Sequence, residues 1–514
     1  MIRQIRALSV WPRLVIVLLA IAANCQADEP QSAAASRNIA LGQGQIAGEA
    51  TEQSVLLHAR LTTSAVFVPP APGFGKTRYA MYTADVPGMP GTGRFEWSVS
   101  ATFRDSQLTP WLVADAEQDF ILQTRVAGLS PGTTYYYRLH YGPDRQHLTL
   151  GPVGKFRTLS GSKKDLPATL TIGSCLNYDF FHRGIDDRGL KAHPGSDRDL
   201  GYPALESMRK MNPDLVIFTG DNVYYDPWDA GNPHAQTLTE MRRFWHQQFS
   251  QPRLRDLLGS SASYWEKDDH DFRFNDGDMT SGPAPSAELG IRMFREQIPI
   301  VARDEPNGVT YRTHRVSKSL QIWLVENRDY RSPNKQPVGP DKTIWGRTQR
   351  EWLERTLTES DAAFKILISP TPVIGPDDSY KDDNHADPRG FQHEATAFFQ
   401  RLKDRGFLKQ KFLIVCGDRH WQYHSVHPLG FEEMCVGTVV DANALFGPYP
   451  GDPKSTDPRG LIKQPFARDK AFAGFLKLEV VPAVASTPPK LVITFCDQNG
   501  KSVHSQTRTA SNDQ

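Results

Sequence analysis

The run Asp214-Leu-Val-Ile-Phe-Thr-Gly-Asp-Asn-Val-Tyr224 decides how the rest of the chain is read. Its apolar stretch, Leu215 to Phe218, has the length and continuity of a buried strand. Gly220 lets the backbone turn sharply where that stretch ends. Asp221 is thereby presented at the carboxyl edge of a sheet, where open α/β folds place their ligands. Tyr224, three residues on, is near enough for a phenolate and a carboxylate to share one hard cation. Strand-Gly-Asp endings occur in many unrelated proteins, so the reading gains its force from repetition. Similar endings recur at Gly173-Ser174-Cys175 and Gly417-Asp418-Arg419-His420.

The chain has 514 residues, too many for one typical domain and enough for a large core. Hydrophobic content of 39% and charged content of 23% fit a globular protein rather than a disordered one. The formal net charge is +1 with no long run of one sign, so nothing supports nucleic acid or an anionic membrane surface as partner. Arg3, Arg6 and Arg13 with the apolar stretch Leu14 to Ala23 predict a signal peptide over residues 1–27, the apolar part being too short to span a bilayer. Cleavage after Ala27 removes three arginines and no acid, leaving a charge of about −2. A lipid anchor at Cys25 is the alternative, though Asn24 suits it poorly; an uncleaved anchor is a further one. The expected destination is export: periplasm, cell surface or medium, with no membrane span after cleavage.

Four cysteines then remain, too few for a disulfide-built scaffold. Cys416, Cys435 and Cys496 sit in apolar strand-like runs and read as buried thiols. Cys175 differs, because it ends a strand beside a Gly-Ser turn.

From about Ile39 to Thr158 the apolar-polar alternation predicts an all-β domain, bounded here as 38–159. Val126 to Arg138, with its Leu-Ser-Pro-Gly turn and alternating tyrosines, resembles the corner of a fibronectin type III or Ig-like sandwich; an irregular β-domain or barrel is the alternative. Residues 160–167 read as a polar linker. Beyond them strands alternate with helices, including Tyr202 to Met211, Leu238 to Phe249 and Ala395 to Asp404. Buried strands are predicted at 170–173, 319–325, 364–369, 411–416, 475–481 and 490–495. Residues 28–37 read as a loose leader and 507–514 as a frayed end.

Every candidate for chemistry follows a strand: Cys175, then Asp221 and Tyr224, then Asp268-Asp-His-Asp271, then the loop with Asn384, His385 and Asp387, then Asp418 and His420. Carboxylate, phenolate, thiolate and imidazole together suit one or two transition metals, with iron favoured by phenolate and thiolate. Taken singly, each has a plainer reading. A strand-ending Asp caps a helix or turn, an acidic loop is solvated, and a lone buried Cys is structural. Five clusters in one order are hard to assign to capping alone.

The ordered set Gly-Ser-Cys, Gly-Asp-x-x-Tyr, Asp-Asp-His-Asp, Asn-Arg-Asp-Tyr-Arg and Gly-Asp-Arg-His resembles the alkaline phosphatase D (PhoD-like) family of calcineurin-like metallophosphoesterases over about residues 168–445. That resemblance implies an α/β calcineurin-like metallophosphatase β-sandwich flanked by helices over 168–506, preceded by the all-β domain. It also implies a phosphoric ester hydrolase acting on small phosphate mono- or diesters. Asp221 becomes a bridging ligand, and Cys175, Tyr224 and His420 join it on a ferric ion. Asp269 and Asp418 take one or more divalent ions, calcium by the family's example. His270 becomes the substrate-facing acid, and Arg328 and Arg331 (with Arg419 as a third candidate) the groups that neutralise phosphoryl oxygens. Departures are the inserted Glu266-Lys267, about fifteen extra residues from His182 to Asp197, and a loose match around Asn384-His385. A phosphodiesterase or phospholipase D-type activity on the same site is one alternative. A secreted binding protein with an inert phosphatase-like domain is the other.

Overall fold

Leu215 to Thr219 form a strand in which every residue is buried. Its parallel neighbours are Ala168–Gly173 on one side and Ala262–Glu266 on the other. This computed structural model describes residues 39–67, 84–185, 190–226, 235–305 and 307–510. The expected signal peptide, Cys25 and the leader 28–37 lie outside them. Among the described residues no helix is long and apolar enough to cross a membrane.

These three strands are the centre of a nine-stranded sheet. It continues through Gly474–Val481, Lys490–Asp497 and Ser502–Thr509 at one end and through Gln45–Gly48, Ser54–Arg60 and Ile121–Ala127 at the other. A second, seven-stranded sheet has Leu320–Leu324, Phe364–Ser369 and Lys411–Cys416 in parallel near its middle. The pleat sends alternate residues to opposite faces. Ile172, Ile217 and Tyr264 of the first sheet share one apolar cluster with Ile322, Ile366 and Val415 of the second, so these faces meet. Val216 and Phe218 pack instead with Leu205, Met208, Trp245 and Leu254, which come from three helices: Pro203–Lys210, Leu238–Phe249 and Pro252–Leu258. On the far side, Trp323, Leu367 and Ile414 lie under the helices Gly346–Glu359 and Gln392–Asp404. The result is helix, sheet, sheet, helix.

Leu238–Phe249 begins where its capping box predicts, with Thr237 and Glu240 satisfying each other's backbone N–H groups. The N-terminal region is all-β, and at its corner the Tyr135 hydroxyl accepts the Ser130 N–H at 2.8 Å. Its strands do not stay apart from the α/β region. Ala47 and Gly48 pair in parallel with Ala262 and Ser263, so the sheet crosses the linker expected at 160–167. That pairing covers an edge of Ala262–Glu266 that would otherwise be open. The predicted frayed end also differs: residues 507–509 belong to the strand Ser502–Thr509, with Thr507 opposite Val492. Its weak apolar pattern reflects an edge position. All four described cysteines are buried free thiols.

Candidate metal centre

The parallel strands of both sheets end at the same place, and the candidate residues occupy those ends. Cys175, Asp221 and Asp418, each just past a strand, have φ of 59°, 56° and 61°. This left-handed turn costs non-glycine residues about 1–3 kcal/mol each and persists where surrounding packing imposes it. Gly417 makes the convergence possible: a Cβ there would stand 2.5 Å from both Ser174 Oγ and the Thr219 carbonyl.

Around Asp221 the groups are close. The Cys175 thiol lies 3.5 Å from Asp221 Oδ2, and the Tyr224 hydroxyl donates to the same oxygen at 3.1 Å. Tyr224 Oη is 3.5 Å from His420 Nε2 and accepts from Asn443 Nδ2 at 3.2 Å. Cys175, Asp221 and His420 each bring one ligand-type atom within 4.8 Å of the others; Asp221, Asp269 and His270 form a second such trio. Asp221 Oδ1 is buried with no hydrogen-bond partner.

Electrostatics give the trio its character. Burial raises the pKa of Asp221 far above the usual carboxylate range, and Asp269, Asp268 and Asp271 add to this. Burial and the Asp221 charge do the same to the Cys175 thiol and the Tyr224 phenol. Burial, with His270 and Arg419 nearby, lowers His420 to about 3, so it is a neutral imidazole. Several incipient anions and one neutral imidazole, desolvated together, form a donor set that a cation would stabilise. The chain's residues therefore fit bound metal.

His270 is held differently. Its Nδ1 is 2.5 Å from Asp226 Oδ1, and its ring stacks on Tyr224 at 4.1 Å. Burial pulls its pKa down, but Asp226, Asp269 and Asp221 more than reverse that. Asp269 is held well below the carboxylate range; burial opposes this, while His270, Arg328 and Lys381 outweigh it.

The remaining candidates are distributed more widely. The Asp418 carbonyl is 3.8 Å from Cys175 Sγ, and its carboxyl falls outside the close trios found among the described residues. Arg328 is fully buried: Nε donates to Asp268 Oδ1 at 2.8 Å and Nη1 to the Gly277 carbonyl at 3.0 Å. Arg331 donates to Asn334 Oδ1 at 2.8 Å and to the Asp383 carbonyl. Arg419 pairs with Asp377 and, at 3.0 Å, Asp378. All three guanidinium groups thus have protein partners, while Arg331 Nε and Nη1 and Arg419 Nε are buried with no hydrogen-bond partner. In the loop that matched loosely, His385 bonds Glu394 at 3.0 Å against Trp345, and Asp387 accepts the backbone N–H groups of Asp383 and Asn384. These are fold contacts. The acid that reaches the centre from this loop is Asp383, which forms a third trio with Asp269 and Asp276. Lys381 pairs with Asp276 and lies 3.7 Å from Asp383. Asp226, Asp276, Asp383, Lys381 and Asn443 are not singled out by the sequence reading, since none of them is the first polar residue after a strand and Asn443 ends the short 3-10 helix Asp441–Asn443. The inserted Glu266-Lys267 is buried, Glu266 accepting the Val325 N–H at 2.9 Å and Lys267 pairing with Glu326 at 3.2 Å.

Comparison with known proteins points the same way. Residues 170–440 match the family model of PhoD-like phosphatase, and residues 25–160 that of the PhoD-like phosphatase N-terminal domain. Alkaline phosphatase D of Bacillus subtilis (strain 168) is 24% identical over 417 residues, covering 69% of this chain and 63% of that protein. The match thus spans less than two thirds of that relative. A solved structure of PhoD aligns with a TM-score of 0.66 at 17% identity, covering 92% of this chain and 90% of the other. Purple acid phosphatase PPD1 from yellow lupin (Lupinus luteus) aligns at 0.54 and 13% identity, covering 90% and 74%. The fold is therefore shared with these phosphatase structures: an α/β sandwich of two sheets with helices outside it and an all-β region before it.

Proposed function

We propose that this chain, which belongs to the PhoD-like phosphatase family, hydrolyses phosphate esters at the centre built on Asp221. The observation that carries the proposal is the Cys175, Asp221 and His420 trio, drawn from three strand ends, with an orphaned oxygen on Asp221. Cys175, Asp221, Tyr224 and His420 would hold one ion, ferric by their donor chemistry. Asp269, with Asp418 or with Asp276 and Asp383, would hold a divalent one such as calcium. Bound there, the ions would lower the pKa of a water and neutralise charge on the phosphoryl oxygens.

The chain's own residues supply the rest. Protonated His270, oriented through Nδ1 by Asp226, is the proton donor for the departing alkoxide. Tyr224, stacked on it, keeps the imidazole in one plane. Lys381 brings a positive charge to the acidic side of the site. Arg328 acts through Asp268, fixing that carboxylate beside Asp269. The signal segment read from the sequence makes export the expected setting.

Elemental analysis of natively purified protein, run beside a phosphate monoester and diester assay, tests this reading. Asp221→Asn should lose both bound metal and hydrolysis. Full hydrolysis by Asp221→Asn would overturn the proposal, and an iron-loaded, active protein with no visible charge-transfer band would remove Tyr224 from the ligand set.

A further inference from the structure

Two loops beside the metal centre leave their apolar side chains in solvent. In the first, Asn443 is tied to the Tyr224 hydroxyl and the Leu445 N–H donates to the His420 carbonyl at 3.3 Å. Two residues further, Gly447 lies so close to the Trp421 ring that a Cβ there would overlap it. Phe446 stands between these two anchors, so it is held next to His420, yet its side chain is 50% exposed. Leu445 and Tyr449 on the same loop are 53% and 45% exposed. The second loop carries Tyr380, 69% exposed, immediately before Lys381. The loops are stitched together: the Ser379 N–H donates to the Lys454 carbonyl and the Thr456 N–H to the Asp377 carbonyl, both at 2.7 Å.

Large apolar groups exposed on loops that are joined to each other and pinned to a charged centre mark a binding surface better than isolated exposed residues do. Three of the four are rings, which favour a planar partner through offset or edge-to-face packing. We infer that Tyr380, Phe446 and Tyr449 form an aromatic rim that receives a ring on the ester group of the substrate, making ring-bearing phosphate esters the preferred class. The inference rests on the hydrolytic reading of the centre: the acidic, metal-suited floor takes the phosphoryl group, and the rim takes what is attached to it. An aliphatic chain is the competing occupant, and the number of rings argues against it.

The test compares 2-phenylethyl phosphate with propyl phosphate, which leave as alkoxides of similar basicity and differ in the ring. Phe446→Ala should lower kcat/KM for 2-phenylethyl phosphate about tenfold more than for propyl phosphate, with the difference mainly in KM, as for an interaction made equally in ground and transition states. Tyr449→Ala should show the same preference. Both side chains are surface groups, so their loss should leave the fold intact. Equal losses on the two esters, or no loss on either, would overturn the inference while leaving hydrolysis established. A larger loss on decyl phosphate than on 2-phenylethyl phosphate would also overturn it, making the rim an aliphatic surface. Calorimetric binding of 2-phenylethylphosphonate separates the two readings. Binding that weakens in Phe446→Ala, in a protein that hydrolyses none of the esters, would sustain the rim and sink the phosphatase.

Discussion

Replacing Glu433 with Ala should destabilise the protein by about 2–4 kcal/mol, although Glu433 is not among the candidate metal ligands. This fully buried side chain on the strand Glu432–Val436 accepts the N–H groups of Val373, Ile374 and Gly375 at 2.6, 2.9 and 2.9 Å, and the Tyr423 hydroxyl at 3.2 Å. Each such bond is worth about 1 kcal/mol net, and a buried donor left without an acceptor costs about 1–3 kcal/mol. Four donors give about 4 kcal/mol; recovering the cost of burying the carboxylate and admitting water into the gap reduce it. Glu433→Gln keeps the shape and one oxygen, so about 1–2 kcal/mol is expected. Urea unfolding at neutral pH, read as the shift in midpoint with the slope held, measures both. The effect should reach the metal centre as well. The 373–375 segment leads into Asp377, which pairs with Arg419 beside His420. A Glu433→Ala protein within about 0.5 kcal/mol of the parent, or a Gln variant as damaged as the Ala variant, would refute the reasoning.

Three further outcomes are expected. Asp119 joins Arg60 at 3.0 Å, His246 at 2.6 Å and Gln297 at 2.8 Å; burial pushes its pKa up, but His246, Arg60 and Gln297 bring it well below the usual range. Its folded pKa being depressed, it stabilises the fold above its unfolded value near ~3.9, and that contribution drains away as pH falls below about 4. Stability measured between about pH 2 and pH 5 should therefore slope less in Asp119→Asn than in the parent, and equal slopes would remove the ion network from the account. Gly417→Ala drives a methyl against Ser174 and Thr219, so about 1–3 kcal/mol of overpacking is expected together with a loss of metal retention on dialysis; full retention would mean that the two sheet ends can separate freely. Asp226→Asn deprives His270 of its anionic partner, and kcat should fall by about 10- to 100-fold, more for esters with basic leaving groups. A loss independent of the leaving group would deny His270 the role of acid.

Legibility followed distance along the chain. Asp221 and Tyr224 were readable because an apolar run, a glycine and the ligands lie within ten residues, and the strand-end geometry is local. The helix Leu238–Phe249 was readable for the same reason, from its cap and its period. The helices Ala287–Gln297 and Gly346–Glu359 were missed; the latter has only Gln349, Leu353 and Leu357 buried, a thin stripe among charged residues. The arginines of 326–331 suit phosphate or carboxylate pairing by residue type, and only the fold shows that Asp268, about sixty positions away in sequence, holds Arg328. Asp383 lay one residue from the segment suspected of supplying a ligand. Only packing distinguishes it from His385, which turns instead to Glu394.

The sequence by itself determined that strand ends would carry thiol, carboxylate, phenol and imidazole, because strand, turn and side-chain type are set by neighbouring residues. Tertiary structure alone decided which of those groups meet. The joining of two sheets at Gly417, the pairing of His270 with Asp226 and the third acidic trio all depend on loops far apart in the chain reaching one place. The same holds for the all-β region: its strand pattern is local, while the pairing of Ala47 with Ala262 that merges it with the central sheet is not. Contacts of that kind form only when a buried edge or an unpaired charge finds its partner, and no window of sequence records the partner.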